Sequence, residues 1–295
     1  MRVSFLGLGA IGAPMAAHLA KPPFELVVWN RTRAKAEAFA EEHQCRYAAT
    51  AREAAAHAEV LITCLPSSRE VHALMKGGDG IAAGLTSGSL LIDCTSGDPA
   101  TSIAMADELT ARSVGFVDAP VSGGVKGAVA GTLTVMCGGD PRNVERSRSV
   151  LEAFGKKIIH CGGVGAGDAV KAMNQALLAI HIWSAGEALA TLSRLGVKAE
   201  VALDVINGSS GRSNTSENLF PERVVGRKFP RTFKLALLDK DIAIAAQIAG
   251  ENGVKTPLID LAARLMTEAH AELGEEADHV EAVKVIEERS GVIIT

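Results

Sequence analysis

The sequence predicts an α/β domain followed by an all-helical domain, and three observations support this prediction. Short apolar runs alternate with polar, helix-like segments through the first half of the chain, which is typical of a parallel sheet with helices on both faces. A glycine-rich turn at residues 7–12 directly follows the first apolar run. Beyond Gly167, glycine becomes sparse and one helix-like segment follows another. We therefore predict a sheet domain over residues 1–164 and an all-helical domain over residues 165–295, which begins with a long linking helix at about 168–194.

Seven short runs rich in Val, Ile and Leu are the predicted strands. Branched side chains favour strands because they pack well on a pleated surface, and Gly, Pro or polar residues bound most of these runs. The predicted strands are residues 3–8, 25–29, 60–64, 90–93, 115–118, 133–137 and 158–160. Helices are expected between the early strands at residues 13–20, 33–43 and 69–75.

The second half of the chain contains apolar residues at helical spacing, with short polar loops between them. Loops are expected at residues 207–212 and 229–231. The predicted helices are residues 168–194, 199–206, 216–225, 235–252, 257–272 and 279–289.

The composition is that of an ordinary globular protein, with 47% hydrophobic and 22% charged residues among 295. The net charge of −4 without a basic tract argues against nucleic acid and anionic membrane as partners. The five cysteines include no CxxC pair, which argues against disulfides and a metal site and favours a reducing cytoplasm. We expect no secretory signal, and no membrane span either, because polar residues interrupt the longest apolar stretch, 176–192.

The turn after the first predicted strand has the spacing of a dinucleotide-binding loop. Gly7, Gly9 and Gly12 form a GxGxxG pattern between that strand and a helix. Glycines at these positions let the backbone approach a pyrophosphate, whose charge the helix N-terminus receives. The sequence therefore predicts a Rossmann-type doubly wound domain that binds a dinucleotide through this loop, including Ala10 and Ile11.

The end of the second predicted strand indicates which dinucleotide is preferred. An acidic residue is expected there to bind the ribose 2′-hydroxyl of NAD, but the chain continues Asn30-Arg31-Thr32-Arg33. Guanidinium groups hold a 2′-phosphate through forked hydrogen bonds, whereas a carboxylate would repel it. We therefore predict NADP as the cofactor, with NAD used at lower efficiency. The alternative is a solvated basic loop that opens the next helix.

Four motifs occur in order along the chain. They are FLGLGAIGAPM at 5–15, DAPVSGG at 118–124 with Gly127 and GTL at 131–133, GAGDAVK at 165–171, and KD at 240–241. Together they resemble the β-hydroxyacid dehydrogenase family, which includes 3-hydroxyisobutyrate dehydrogenases, tartronate semialdehyde reductases and glyoxylate/succinic semialdehyde reductases. The resemblance covers nearly the whole chain and implies an NADP-dependent enzyme that transfers hydride between nicotinamide and a small 3-hydroxy acid or its semialdehyde.

The resemblance also implies roles for single residues. Lys171 is the implied acid–base residue, and Ser122, Gly123 and Gly124 are implied to hold the substrate carboxylate, for which a hydroxyl and adjacent N–H groups are chemically suitable. Either Asn174 or Gln175 is implied to contact the substrate, and the sequence leaves open which of them does. Asp168 could cap the helix or pair with Lys171. The residues implied to lie near the cofactor are Leu65, Pro66, Thr95, Ser96 and Lys240.

Lys171 suits the implied chemistry because carbonyl reduction requires a proton for the developing alkoxide. Burial lowers the pKa of a lysine amine, which brings both of its protonation states within reach near neutral pH. Asn174 and Gln175 follow at i+3 and i+4 and so project from the same helical face. His160 and His181 are the rival acid–base candidates, and we expect both to be structural.

Other functions compatible with the sequence are imine reduction on a similar scaffold and a non-catalytic nucleotide-binding regulatory module. Lys171 argues against the first, and the joint presence of Ser122, Lys171 and Lys240 argues against the second. We also expect a homodimer or homotetramer, because the helix predicted at 168–194 is apolar on more sides than one domain can cover. The identity of the hydroxy acid is left open by the sequence.

Overall fold

The computed structural model describes the whole chain, Met1–Thr295. The chain forms two compact units, Met1–Lys171 and Ala172–Thr295. We call them the first unit and the second unit. The first unit contains a nine-stranded sheet covered by helices, and the second unit is helical throughout. This architecture confirms the predicted Rossmann-type α/β domain followed by an all-α domain.

Parallel strands form most of the sheet in the first unit. The spatial order is β3-β2-β1-β4-β5-β6-β8-β7, and β9 also pairs with β8. Strands β1 to β6 run parallel, with the strand order reversing between β1 and β4. The strands are β1 (Arg2–Leu6), β2 (Glu25–Trp29), β3 (Arg46–Tyr47), β4 (Val60–Thr63), β5 (Leu90–Asp93), β6 (Gly115–Asp118), β7 (Val121–Ser122), β8 (Leu133–Gly139) and β9 (Gly155–Gly162).

Eight helices connect these strands. Buried apolar side chains on both faces of the sheet pack against the helices and form the core of the unit. The helices are α1 (Gly12–Ala17), α2 (Arg33–His43), α3 (Ala51–His57), α4 (Ser68–Met75), α5 (Ile81–Gly84), α6 (Pro99–Thr110), α7 (Gly124–Ala130) and α8 (Pro141–Leu151).

The sheet is mainly parallel, as expected, but not beyond β6. β8 runs antiparallel to both β6 and β7, because the chain turns back through the short helix α7 instead of making a full crossover. The sequence also missed β3 and β7, which are two residues long and too short to show an alternating pattern.

The second unit matches the predicted helices closely. Helix α9 (Ala166–Arg194) begins in the first unit and continues into the second. The segment expected as one helix at 216–225 instead forms two π-helical turns, Thr215–Leu219 and Pro221–Val225. The break falls at Pro221, which has no backbone N–H to donate. The remaining helices are α10 (Ala199–Asn207), α11 (Leu235–Glu251), α12 (Pro257–Leu273) and α13 (Ala282–Ser290), the last preceded by a 3₁₀ turn at His279–Glu281.

Helix α9 is long and apolar enough to cross a membrane, judged by length and composition alone. Only 39% of its most apolar window is buried within the chain. A core helix of a soluble protein meets the same test, so this property is weak evidence for a membrane.

Candidate active site

The three glycines of the loop after β1 have three different surroundings. A Cβ on Gly7 would lie 2.2 Å from the carbonyl oxygen of Cys64, and Gly7 has a φ of +105°. A Cβ on Gly12 would lie 2.0 Å from the carbonyl oxygen of Gly7. Gly9, in contrast, has no atom within 4 Å of such a position and is exposed, as is Ala10. Gly7 and Gly12 thus permit the tight turn, while Gly9 leaves open space that a pyrophosphate can approach.

Asn30, at the end of β2, binds this loop through its side chain. Its Oδ1 accepts a hydrogen bond from the backbone N–H of Leu8 at 3.0 Å, and its Nδ2 donates to the carbonyl oxygen of Thr32 at 3.0 Å. The carboxamide therefore holds the loop and the end of β2 together, which places Arg31 beside the dinucleotide loop.

The two arginines that follow β2 have different surroundings. Arg33 donates to Glu37 Oε1 at 2.8 Å and to Tyr47 Oη at 3.2 Å. Arg31 is exposed and forms no salt bridge with a carboxylate. Of the two guanidinium groups, that of Arg31 is therefore the one without a carboxylate partner.

Hydrogen bonds join the carboxyl ends of β4 and β5. Thr95 Oγ1 accepts from the backbone N–H of Leu65 at 3.1 Å. Asp93 Oδ1 accepts from Thr63 Oγ1 at 2.8 Å and from the backbone N–H of Thr95 at 3.0 Å. Burial raises the pKa of Asp93 to about 6. Thr95 is therefore buried and fixes the backbone here, while Pro66 is exposed beside it.

Asp118, at the end of β6, holds the start of α9. Its Oδ1 accepts from the backbone N–H of Gly165 at 2.8 Å, and its Oδ2 accepts from that of Asp168 at 3.0 Å. The carboxyl group thus satisfies N–H groups that a helix N-terminus leaves without partners. Sequence reasoning gave Asp118 no role, although its position at the end of a strand and the head of a motif could have indicated one.

The glycines of the third motif are explained by this close approach. A Cβ on Gly167 would lie 2.2 Å from the carbonyl oxygen of Met136 and 2.8 Å from Asp118 Oδ2. Gly165 has a φ of +87°, and a Cβ there would lie 3.0 Å from Pro99 Cβ. Only glycine lets the first turn of α9 lie so close to β8 and Asp118.

The carboxyl group of Asp168 points back from α9 to the loop after β5. Its Oδ2 accepts from Ser102 Oγ at 2.6 Å, and its Oδ1 accepts from the backbone N–H of Gly97 at 3.2 Å. Burial and the neighbouring Asp118 raise the pKa of Asp168 well above its usual value. Capping the helix was one role considered for Asp168, but Asp118 caps α9 instead. The side chain of Asp168 binds Gly97 and Ser102.

Lys171 lies one turn further along α9 and is 8% exposed. It is the last residue of the first unit. A lysine so deeply buried is unusual in a protein.

The predicted carboxylate-binding segment follows β6 in the chain. Ser122 is half-buried in β7, where it pairs with Thr134. Gly123 and Gly124 are exposed and have φ values of +136° and +61°. A Cβ on Gly124 would meet no atom within 4 Å, so space is open beside this backbone.

The second unit brings Gln175 and Lys240 together through Asp241. Asp241 Oδ2 accepts from Gln175 Nε2 at 3.0 Å, and Asp241 Oδ1 lies 2.8 Å from Lys240 Nζ. Asn174 is exposed and donates to Gln175 Oε1 at 3.3 Å. Sequence reasoning gave Asp241 no role of its own, although it directly follows Lys240.

The rival histidines lie in ordinary surroundings. His160 Nε2 is 3.0 Å from the carbonyl oxygen of Gly139 and 2.8 Å from that of Gly162, so its ring is held by the backbone. His181 is half-buried within α9. No group of three or more His, Cys, Asp or Glu side chains in the chain is arranged to hold a metal ion.

The predicted cofactor-binding residues from Asn30 to Thr95 thus lie in one row along the carboxyl ends of the strands. Contacts lead from Asn30 to the glycine loop, from that loop to Cys64 and Leu65, and from there to Thr95. Ligands of open α/β sheets bind at this edge, where the strand order reverses. The geometry therefore fits an extended dinucleotide followed by a small substrate.

Comparison with known proteins agrees with this arrangement. Residues 2–163 match the family model described as the NAD-binding domain of 6-phosphogluconate dehydrogenase. Residues 165–286 match the model described as the NAD-binding domain of NADP-dependent 3-hydroxyisobutyrate dehydrogenase. The two matches together cover nearly the whole chain.

Individual relatives span the chain from end to end. It is 33% identical over 296 residues to 2-(hydroxymethyl)glutarate dehydrogenase of Eubacterium barkeri, covering 100% of this chain and 98% of the relative. It is 36% identical over 284 residues to 3-hydroxyisobutyrate dehydrogenase of Pseudomonas aeruginosa, covering 94% of each.

A solved structure of Mycobacterium tuberculosis 3-hydroxyisobutyrate dehydrogenase with L-serine superposes with a TM-score of 0.88 at 32% identity, covering 97% of this chain and 98% of that one. These matches confirm the family that the four motifs indicated. The chain belongs to the β-hydroxyacid dehydrogenase family and is an NAD(P)-dependent hydroxyacid dehydrogenase of the 3-hydroxyisobutyrate dehydrogenase type.

Proposed function

We propose that the protein is an NADP-linked dehydrogenase of small 3-hydroxy acids that carry a primary alcohol, with Lys171 as its acid–base residue. The observation that carries the proposal is the buried Lys171, one turn into a helix that Asp118 and Asp168 anchor to the carboxyl edge of the sheet. Lys171 is thereby fixed in the same unit as the dinucleotide loop.

The cofactor preference rests on the loop after β2. A nicotinamide dinucleotide fits the first unit, because Gly9 leaves open space where the pyrophosphate approaches. Backbone N–H groups of residues 7–12 would hold the pyrophosphate, and Arg31, with Thr32 beside it, would hold a 2′-phosphate. Arg31 suits this role because no carboxylate neutralises it, and a carboxylate that would repel the phosphate is absent from residues 30–33.

The substrate carboxylate would bind at Ser122, Gly123 and Gly124. The hydroxyl of Ser122 and the N–H groups of two exposed glycines provide several donors close together. Because both glycines have positive φ values, their N–H groups can turn toward one anion in a way that other residues rarely allow.

When bound, the nicotinamide would supply the hydride chemistry, as acceptor in alcohol oxidation and as donor in carbonyl reduction. The amine of Lys171 donates a proton to that oxygen during carbonyl reduction and accepts it back during alcohol oxidation. Burial of Lys171 excludes water around the amine, so the proton passes between lysine and substrate rather than to solvent.

The substrate class follows from what the compounds named for the relatives have in common. 2-(Hydroxymethyl)glutarate, 3-hydroxyisobutyrate and L-serine are all 3-hydroxypropanoates with one substituent at C2. The shared part carries a carboxylate and a primary alcohol, which are the groups that Ser122–Gly124 and Lys171 would bind. We propose this shared part as the minimal substrate, with the C2 substituent deciding specificity through contacts worth about 1–3 kcal/mol per methylene.

Steady-state kinetics with a substrate panel tests the proposal, with NADP for the hydroxy acids and NADPH for the aldehydes. The panel contains 3-hydroxyisobutyrate, L-serine, 3-hydroxypropionate, glycerate, succinic semialdehyde, tartronate semialdehyde and glyoxylate. We expect the highest kcat/KM for a 2-substituted 3-hydroxypropanoate or its semialdehyde. Preferred turnover of glyoxylate or succinic semialdehyde would identify a reductase of those substrates instead. NADP binding without any turnover would indicate a non-catalytic regulatory module.

We further propose that two copies of the chain associate through the second unit. Apolar side chains on α9 and α12 support this, because Leu177 is 55% exposed and Leu258 is 59% exposed, and burying them against a second copy would be favourable. Light scattering at micromolar concentration should give at least twice the monomer mass of 30.6 kDa. A mass equal to that of the monomer would contradict the proposal.

A further inference from the structure

Asp168 has no part in the chemistry proposed above, yet its carboxyl group is among the most deeply buried polar groups of the first unit, with 1% of the residue exposed. A buried carboxyl group is costly unless hydrogen bonds satisfy it. Both of its oxygens are engaged, Oδ2 by Ser102 Oγ at 2.6 Å and Oδ1 by the N–H of Gly97 at 3.2 Å.

These bonds join the start of α9 to a segment that lies 66–71 residues earlier in the chain. Asp168 lies in the first turn of α9, Gly97 in the loop after β5, and Ser102 in α6. The loop presses closely on the carboxyl group, since a Cβ on Gly97 would lie 3.3 Å from each carboxyl oxygen. The backbone N–H of Asp168 is also held, by Asp118 Oδ2 at 3.0 Å. Asp168 is therefore fixed through both its backbone and its side chain.

The place of Lys171 depends on this anchor. Residues three apart in a helix are neighbours on the same face, so Lys171 projects one turn beyond Asp168. The first turn of a helix lacks the internal hydrogen bonds of later turns and frays easily. An acid–base group carried near such an end needs an external constraint to remain at a reacting distance from its substrate.

We propose that Asp168 is a positioning residue, whose carboxyl hydrogen bonds to Gly97 and Ser102 hold the first turn of α9 and so fix Lys171 relative to the loop after β5. The inference rests on the proposed function only in taking Lys171 as the acid–base group. The anchoring of the helix turn itself is independent of any substrate.

The hydrogen bonds of Asp168, rather than its charge, provide the anchor. The titratable groups facing it are Asp93 at the end of β5 and Asp118 at the end of β6, with Lys171 on its own helix. Burial and the charge of Asp118 raise the pKa of Asp168, which favours the neutral carboxyl group. An asparagine can accept from Gly97 through Oδ1. Its Nδ2 can donate to Ser102 Oγ, which then accepts where it now donates to Asp168, so asparagine should replace Asp168.

Kinetics of four variants provide the first test. We expect D168A to lower kcat by about 10- to 100-fold, since a small misplacement of a reacting group has effects of this size. Its KM should change little, and NADPH affinity, measured by fluorescence titration, should stay within about twofold of the parent. S102A removes one of the two bonds and should have an intermediate effect, whereas D168N should restore most of kcat. V170A, at an exposed neighbouring position of the same turn, is the matched control.

Hydrogen–deuterium exchange, read by mass spectrometry, tests the anchor without any substrate. Peptides covering residues 166–172 should exchange at least about tenfold faster in D168A and near the parent rate in D168N, with residues 7–12 unchanged. Unchanged exchange of residues 166–172 in D168A would overturn the inference, and so would a D168N variant as slow in turnover as D168A. If D168A fails to fold, exchange is measured in S102A and D168N instead. S102A should then exchange faster than the parent over residues 166–172 and D168N near the parent rate, and an unchanged rate in S102A would overturn the inference. A parent protein inactive on the whole panel would refute the proposed function, and exchange would then decide this inference alone.

Discussion

The Oδ1 atom of Asp118 accepts a hydrogen bond from the backbone N–H of Gly165 at 2.8 Å. This bond joins two sequence motifs that lie 47 residues apart. The first motif continues into Ser122–Gly124, where the substrate carboxylate is proposed to bind, and the second carries Lys171. Asp118 thus sets the relative place of two groups that must act on one small molecule.

Gly167 should be intolerant of any side chain because it packs directly against β8 and Asp118. Its hypothetical Cβ lies 2.2 Å from a backbone oxygen, that of Met136, which cannot rotate away. We expect Gly167→Ala to lower the free energy of unfolding by about 1–3 kcal/mol, the usual cost of overpacking, and to lower kcat as α9 shifts. Urea denaturation and steady-state kinetics measure the two effects.

Gly163 is the matched control for Gly167, since a Cβ there meets no atom within 4 Å. Gly163→Ala should unfold within about 0.5 kcal/mol of the parent. Equal stability of Gly167→Ala and Gly163→Ala would contradict the close packing of α9 against β8.

Asp93 should make the folded protein less stable at alkaline pH. Burial raises the pKa of its carboxyl group from 3.8 to about 6, so the folded state binds the proton more tightly than the unfolded state. This contribution to stability is complete below the unfolded pKa and is lost as the pH rises through the folded one. Its upper limit is about 3 kcal/mol, from a shift of roughly two pKa units.

Asp93→Asn isolates that contribution. Asparagine keeps both hydrogen bonds, because Thr63 Oγ1 and the N–H of Thr95 both donate to Oδ1. We expect the variant to be more stable than the parent at about pH 8 and to lose this advantage at about pH 3.5, below the unfolded pKa. Urea denaturation at the two pH values measures this. A difference between variant and parent that does not change with pH would show that Asp93 does not titrate in this range.

Arg31 should control the choice between NADP and NAD, whereas Arg33 should not. Arg31→Ala removes a charge-assisted bond to the 2′-phosphate, which should cost about 1.5–3 kcal/mol of binding free energy. The KM for NADP should therefore rise, while the KM for NAD changes little. Arg33→Ala is the matched control, because Arg33 already binds Glu37 and Tyr47. Equal kcat/KM for NADP and NAD in the parent, or equal effects of the two substitutions, would contradict this role.

Much of the fold was predictable because its signals are local. The glycine loop and the buried strands β4 and β5 follow from glycine spacing and continuous apolar runs. The antiparallel course of β8 was not predictable, since it depends on pairing with β6 rather than on the composition of either strand.

The sequence indicated candidate site residues but not the hydrogen bonds that connect them. The motifs indicated Lys171, yet the roles of Asp118 and Asp168 emerge only when β6, α6 and α9 meet. The two arginines after β2 looked equivalent in sequence, but Arg33 binds Glu37 and also Tyr47, which lies on the neighbouring strand β3. Long-range hydrogen bonds of this kind leave no periodic trace in a sequence.

The central claim is that Lys171 transfers the proton, and Lys171→Met tests it most directly. Methionine keeps much of the apolar stem and removes the exchangeable proton. Single-turnover rates with NADP and the best substrate of the panel should fall by about 10²–10⁴-fold, while NADPH affinity measured by fluorescence stays near that of the parent. Lys157→Met, at an exposed position of β9, should leave both quantities unchanged. A Lys171→Met enzyme that turns over within a few-fold of the parent would contradict the account.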